Sequence, residues 1–231
     1  MRSICKLVDG CHLGPGKRVL DLGCGLGGPA VELARLYGAH VTGLTNCEPH
    51  VSVATQYAQE QEVGDLVEFY YGDFMDIPFS DGTYDVAINH GSLCHVHDKT
   101  AYLEGVYKTL KPGGRWQTLD GFLTGKPLSE SQETGHQCLQ QNWRTAPFTP
   151  LDDFLDIMKE TRFRKIRHID LDHEVAPSGE KLAVKWRTLV FLTPPAAPEE
   201  SSAHQWMQAN IEWCKGLHDG VFTYRWISGT K

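Results

Sequence analysis

The chain has 231 residues, enough for one α/β domain with a full core and too few for two ordinary domains and a linker. Its 22 basic and 29 acidic residues leave a net charge of −7, which argues against nucleic acid or an anionic membrane surface as the main partner and points to a small molecule. Seven scattered cysteines with no C-x-x-C pair, no secretory signal, and no run of the roughly 20 apolar residues that a membrane span needs predict a soluble protein in the reduced cytoplasm.

Strand and helix signals alternate from Lys17 onward, the pattern of a parallel sheet covered on both faces. Residues 19–22 read as strand one and 29–37 as a helix with Pro29 in its first turn and Gly38 just past its end. Residues 40–44 follow as strand two, 49–62 as a helix, 66–71 as strand three, 84–89 as strand four and 99–110 as a helix. Lys111-Pro112-Gly113-Gly114 stops that helix and turns the chain into strand five at 115–122. Past Leu123 the pattern loosens into a polar segment. Thr149-Pro150 followed by Asp152 and Asp153 then announces a helix, and 163–171 reads as strand six. Leu182, Trp186, Leu189 and Val190 fall at helical spacing, so 182–192 is predicted helical. A second helix covers 203–217, after a link rich in proline and acid at 193–202. A last strand at 221–227 ends the chain. The expected architecture is a doubly wound, Rossmann-like, seven-stranded and mostly parallel sheet with an antiparallel last strand. A helical cap at 178–217 is inserted before that strand in a single domain, 1–231.

The segment most telling about function is Leu20-Asp21-Leu22-Gly23-Cys24-Gly25-Leu26-Gly27-Gly28, a strand ending in a glycine turn and opening into a helix. Such a turn lets backbone N–H groups approach a ligand closely. Gly23, Gly25 and Gly28 satisfy the dinucleotide pattern G-x-G-x-x-G, while Gly23, Gly25 and Gly27 satisfy the G-x-G-x-G form used for S-adenosylmethionine. Asp21, two residues before the first glycine, favours the second reading together with the landmarks downstream.

Leu20 to Gly25, Gly72-Asp73-Phe74 and Leu110-Lys111-Pro112-Gly113-Gly114 together resemble the class I methyltransferases that use S-adenosyl-L-methionine. Val41 to Asn46, Ser92-Leu93-Cys94-His95 and the late helical insertion resemble more narrowly the sterol, tocopherol and natural-product group. The resemblance implies that Gly23, Gly25 and Gly27 lie against the amino-acid part of the cofactor and that Asp21 orients its ammonium group. It also implies that Asp73 bonds the adenine amine with Phe74 beside the ring. Asn89, at the end of strand four, is also expected in the cofactor-binding set. Asp73 as a mere turn cap and Phe74 as core are the plainer alternatives. Where doubly wound nucleotide folds usually carry an acid at the end of strand two, this chain has Thr45 and Asn46. Both can still hydrogen-bond a ribose, without the strength of a carboxylate.

His95, just beyond strand four, is the first candidate for a base and His90 the second. Capping or simple solvation is the alternative for His95. The spacing of His90, His95, His97 and Asp98 matches no zinc pattern, so no metal is expected. Gly91 stands where sterol-type enzymes often carry a glutamate, which disfavours carbon methylation of a sterol or prenyl chain and leaves O- or N-methylation open. The tryptophans of the cap, with Trp143 and Phe122, either wall an acceptor pocket or fill their own core. Only about 18 residues precede strand one, where the family generally has longer closing helices; a partner subunit, a reduced lid or an open site is expected in their place. The expected partner is a small, apolar or aromatic acceptor methylated on oxygen, nitrogen or carbon, and a homodimer is compatible with the sequence. Two competing functions stand beside methyl transfer. One is a cofactor-binding scaffold or regulatory subunit that does not methylate. The other is a nicotinamide oxidoreductase, on the strength of the Tyr107 and Lys111 spacing.

Overall fold

A computed structural model describes residues 2–192 and 202–231. The link expected at 193–202 therefore lies, but for Ser202, outside the described residues. In chain order the elements are α1 (Arg2–Leu7), β1 (Arg18–Leu22), α2 (Gly28–Tyr37), β2 (His40–Thr45), α3 (Glu48–Glu60), β3 (Val67–Tyr71) and β4 (Tyr84–His90). A short 3-10 turn (Leu93–His95), α4 (Lys99–Thr109), β5 (Leu110–Leu123), α5 (Glu130–Trp143), α6 (Leu151–Glu160), β6 (Arg164–Asp170), α7 (Asp172–Leu192), α8 (Ser202–His218) and β7 (Phe222–Thr230) complete it.

The strands form one sheet of order β3-β2-β1-β4-β5-β7-β6. β1 pairs in parallel with β2 on one side and with β4 on the other, and β2–β3 and β4–β5 are parallel as well. β7 runs the other way: Lys231 N–H donates to Gly114 O and Thr124 N–H to Val221 O, so residue numbers rise on one strand as they fall on the other. This is the mixed, doubly wound sheet that the alternating signals predict. The chain reverses its winding between β1 and β4, and the carboxyl ends of those strands are where ligands sit in such sheets.

The chain packs as two compact units. One comprises Met1–Asp120, Leu155–His168 and Trp226–Lys231, and the other Gly121–Phe154 and Ile169–Arg225. The core of the first is built on Val19, Leu20 and Leu22 of β1, Val86 to Ile88 of β4, Trp116 of β5, and Tyr102, Leu103 and Val106 of α4, all buried. That burial follows from the uninterrupted apolar runs of strands covered on both faces. In the second unit Trp213 stacks on Phe148 at 5.7 Å and lies 4.8 Å from Phe222, Trp143 is 6.0 Å from Trp213, and Phe122 meets Phe154 at 5.1 Å. These rings fill a core of their own. Trp186 and Trp206 meet edge to face at 5.1 Å, with Trp206 left 48% exposed.

Three expectations change. The polar segment after Leu123 contains α5, opened by a capping box in which Ser129 and Gln132 satisfy each other's backbone N–H groups. The helix expected from residue 182 begins ten residues earlier, at Asp172, and carries Pro177 inside it. Lys111 to Gly114 does not precede strand five but bulges within it. Tyr84 pairs with Leu110 and Val86 with Arg115, so three extra residues loop out of β5. Gly114 is pinched there: a Cβ would lie 2.8 Å from Lys111 O. Among the described residues no helix is long and apolar enough to cross a membrane.

Candidate cofactor site

The glycine turn leaves β1 at Leu22 and enters α2 at Gly28, and each glycine in it has its own reason to be one. Gly23, Gly25 and Gly27 all have positive φ, at 84°, 52° and 82°. A Cβ on Gly23 would lie 2.5 Å from Ser92 Cβ, and one on Gly27 would lie 2.6 Å from Phe69 Cζ and 2.9 Å from Ala54 Cβ. At Gly25 and Gly28 the same atom would meet nothing within 4 Å. Two glycines thus permit close packing, while Gly25 and Gly28 leave open space beside the backbone. The Gly23 and Cys24 N–H groups both donate to Leu44 O, at 2.9 and 3.0 Å, which ties the turn to the end of β2. The cradle expected for a ligand carboxylate therefore narrows to the turn beyond Cys24 and the first turn of α2.

Asp21 is 1% exposed, and neither of its carboxylate oxygens has a hydrogen-bond partner. Burial pushes its carboxyl up to about 7, and its charge reaches Cys24 and Tyr102. A buried carboxylate without a partner is costly, and a ligand ammonium group would satisfy it.

Asn89 is wholly buried at the end of β4. Its Nδ2 donates to Leu22 O at 2.9 Å and to Ser92 Oγ at 3.0 Å, and its Oδ1 accepts from Trp116 Nε1 at 2.9 Å and from the Tyr102 hydroxyl. Every polar position of the amide is committed inside the protein. Asn89 is thus a brace under the glycine turn, and its side chain makes no offer to a ligand. Ser92, the first residue of the Ser92 to His95 run, repeats the brace by donating to Leu22 O at 2.7 Å.

Thr45 is buried, and its Oγ1 accepts from the Cys47 N–H at 3.3 Å; Asn46 beside it is exposed. Asp73 is exposed, and its Oδ1 accepts from the Met75 N–H at 2.8 Å, so it does cap its turn. Phe74 is buried, edge-on to Tyr102 at 5.7 Å, and its Cε1 lies 3.6 Å from where a Cβ of Gly23 would stand. Phe74 therefore borders the glycine turn while also serving the core. Beyond β4, Gly91 has φ 64° and open space where a Cβ would point. His90 is half-buried and burial lowers its pKa, so it is neutral near pH 7. His95 is exposed at the end of the 3-10 turn. Tyr107 and Lys111 make no dehydrogenase pair: Tyr107 packs on Phe163 at 5.4 Å and the Lys111 ammonium is held by Asp85 at 2.7 Å.

A doubly wound sheet of this order, with an acid and a glycine turn at the carboxyl end of β1, defines a class I methyltransferase that uses S-adenosyl-L-methionine. Residues 19–114 match the family model described as a methyltransferase domain. The O-methyltransferase rstn1 of Aspergillus nomiae is 33% identical over 158 residues, covering 68% of this chain and 68% of its own. The chain belongs to that family, in its small-molecule group. Sterol 24-C-methyltransferase ERG6 of Saccharomyces cerevisiae is 38% identical over 111 residues, which cover 48% of this chain and 29% of ERG6, so the chain matches less than a third of that relative's length. Geranyl diphosphate C-methyltransferase of Streptomyces coelicolor, solved with S-adenosyl-L-homocysteine, shares the fold with a TM-score of 0.80 at 23% identity, over 99% of this chain and 75% of that one.

Proposed function

We propose that this chain transfers the methyl group of S-adenosyl-L-methionine to a small acceptor through an oxygen or nitrogen atom. The observation that carries the reading is Asp21: a buried, unpartnered carboxylate at the mouth of a glycine turn fits the ammonium of the cofactor's amino-acid part. Gly25 and Gly28 would admit that part beside the backbone, Thr45 and Asn46 would hold the ribose hydroxyls, and Asp73 would take the adenine amine through Oδ2 while Oδ1 stays on Met75. When bound, the cofactor supplies an electrophilic methyl group whose bonding pair returns to sulfur as the acceptor's lone pair takes the carbon. The chain's own work is to hold the acceptor in line, exclude water, and take the acceptor's proton on His95 or His90. Gly91 offers no carboxylate to stabilise a carbocation, which supports a heteroatom acceptor over an alkene. The single-domain reading, with 178–217 assigned to acceptor selection, belongs to the same proposal.

Calorimetry with S-adenosylhomocysteine and label transfer from methyl-labelled cofactor to a panel of phenols, amines, sterols and prenyl diphosphates test this. Binding plus transfer to a phenol or amine is expected. Binding with no transfer to any acceptor would replace the reading with a non-methylating scaffold, and transfer to sterols or prenyl chains alone would overturn the heteroatom assignment.

A further inference from the structure

Two charged side chains that the proposed chemistry does not use are buried behind the segment that follows β4. Lys99, the first residue of α4, is 8% exposed, and Asp120, near the carboxyl end of β5, is 3% exposed. Both bond the backbone of the same segment, residues 93–96. Asn89 pairs with Thr118 and His90 with Leu119, and the Gly91 N–H donates to Leu119 O at 3.0 Å, so Asp120 stands level with the first residues past β4. Its Oδ2 accepts from the Leu93 N–H at 2.8 Å. Lys99 Nζ donates to Val96 O. Burial works against the charge on Lys99, and the carboxylate of Asp120 works to keep it.

The segment from Ser92 to Val96 is therefore pinned at three points, by Ser92 Oγ on Leu22 O, by Leu93 N–H on Asp120 and by Val96 O on Lys99. The first pin ties it to the strand that carries the glycine turn. The other two fix the 3-10 turn that ends in His95. A buried pair of opposite charges is a poor way to gain stability, because the cost of taking both from water offsets their attraction. Apolar residues would fill the same space at least as favourably. What such a pair does supply is directed hydrogen bonding: a carboxylate fixes one N–H in place, and an ammonium fixes one carbonyl.

We propose that Asp120 and Lys99 are positioning residues: together they hold the Leu93 to Val96 backbone, and with it His95, in register with the cofactor strand. The consequence for turnover rests on the methyl-transfer reading, whereas the consequence for the backbone does not.

Hydrogen exchange on the full chain with S-adenosylhomocysteine bound tests both parts. Asp120→Ala is expected to speed exchange of the Leu93 N–H by about tenfold or more, with exchange in β1 and β4 little changed. Asp120→Asn, which keeps an acceptor oxygen, should restore most of that protection. Lys99→Met should loosen Leu93 to Val96 in the same local way. In label transfer, Asp120→Ala should lower turnover at saturating cofactor about tenfold with S-adenosylhomocysteine affinity within about twofold. Unchanged Leu93 exchange in Asp120→Ala, or a rise shared equally by β1 and β4, would overturn the proposal, as would weakened cofactor affinity with unchanged turnover. If the unaltered chain transfers no label to any acceptor, the methyl-transfer reading fails by itself, and the exchange of Leu93 still decides the positioning role.

Discussion

The side-chain amide of Asn89 donates to the carbonyl oxygen of Leu22 at 2.9 Å, joining the end of β4 to the residue that precedes the glycine turn. The same amide accepts from Trp116 Nε1 and the Tyr102 hydroxyl, so three elements meet on one buried group. Asn89→Ala would take the acceptor from the Tyr102 hydroxyl and one partner from Trp116 Nε1, while Leu22 O keeps its bond from Ser92 Oγ. A loss of about 2–4 kcal/mol is expected, since each buried polar group left unmade costs about 1–3 kcal/mol and the site relaxes in part. Urea denaturation measures it, and a loss under about 0.5 kcal/mol would show that the network does not brace the turn.

The glycines of the turn should separate into two kinds. Gly27→Ala drives a Cβ to 2.6 Å from Phe69 Cζ and 2.9 Å from Ala54 Cβ at a φ of 82°, so it should cost about 2–4 kcal/mol of stability. Gly25→Ala meets no atom within 4 Å and bears only the strain of its φ of 52°, about 1 kcal/mol. Its larger effect should fall on binding, with S-adenosylhomocysteine affinity reduced about tenfold or more. Denaturation and calorimetry on the two variants check the contrast, and equal effects in both assays would refute it.

Asp73→Ala should weaken cofactor binding about tenfold while costing no more than about 1 kcal/mol of stability, the worth of an exposed turn cap. Asp73→Asn keeps the acceptor for the Met75 N–H, found at 2.8 Å, and so separates the two roles. If both variants bind S-adenosylhomocysteine as the unaltered chain does, Asp73 is a turn cap and nothing more.

Local chemistry made the first half of the chain legible. Pro29 and Gly38 bracket α2, and apolar runs such as Val86 to Ile88 mark strands buried on both faces. α5 leaves no apolar stripe in the sequence, because only His136 and Leu139 of its 14 residues are buried. Its start was nonetheless written in Ser129 and Gln132. The early turns of α7 are hidden in the sequence by Pro177, which lies within them. In the site, the glycine turn and Asp21 could be read directly. Its braces could not: Ser92 to Leu22, Asn89 to Trp116 and Asp120 to Leu93 are contacts 70, 27 and 27 residues apart, created by sheet order and invisible to any local pattern. Asn89, expected in the cofactor-binding set, has its side-chain amide bonded to Leu22, Ser92, Trp116 and Tyr102.

Asp21 should make the stability of the ligand-free protein fall as pH rises. Burial raises its folded pKa from 3.8 to about 7. Between those values the folded state holds a proton that the unfolded state has released, so stability is full below pH 4, declines towards pH 7 and levels off above it. The full loss is on the order of 4 kcal/mol at about 1.4 kcal/mol for each unit. Asp21→Asn should abolish that difference, and urea denaturation of both proteins from pH 5 to pH 8 isolates it. A cofactor ammonium would favour the carboxylate, so binding near pH 7 should release a proton that calorimetry in buffers of different ionisation heat detects. Parallel pH curves for the two proteins would show that Asp21 does not take up a proton on folding.

The two histidines past β4 should be told apart by the acidity of the acceptor. A base matters only when the acceptor must lose a proton as the new bond forms, so an ordinary phenol needs one and a dinitrophenol, already ionised at neutral pH, does not. His95→Ala should therefore lower methyl transfer to an ordinary phenol about a hundredfold or more and leave transfer to a dinitrophenol within a few-fold, with S-adenosylhomocysteine affinity unchanged. His90 is half-buried at the end of β4, and burial, which lowers its pKa, leaves it a neutral imidazole that can also accept a proton, so His90→Ala is the matched control. If the selective loss follows His90 and not His95, the base lies at the end of β4 and His95 is a surface residue of the 3-10 turn. If neither variant discriminates between the acceptors, the rate comes from alignment alone and the proton leaves to water.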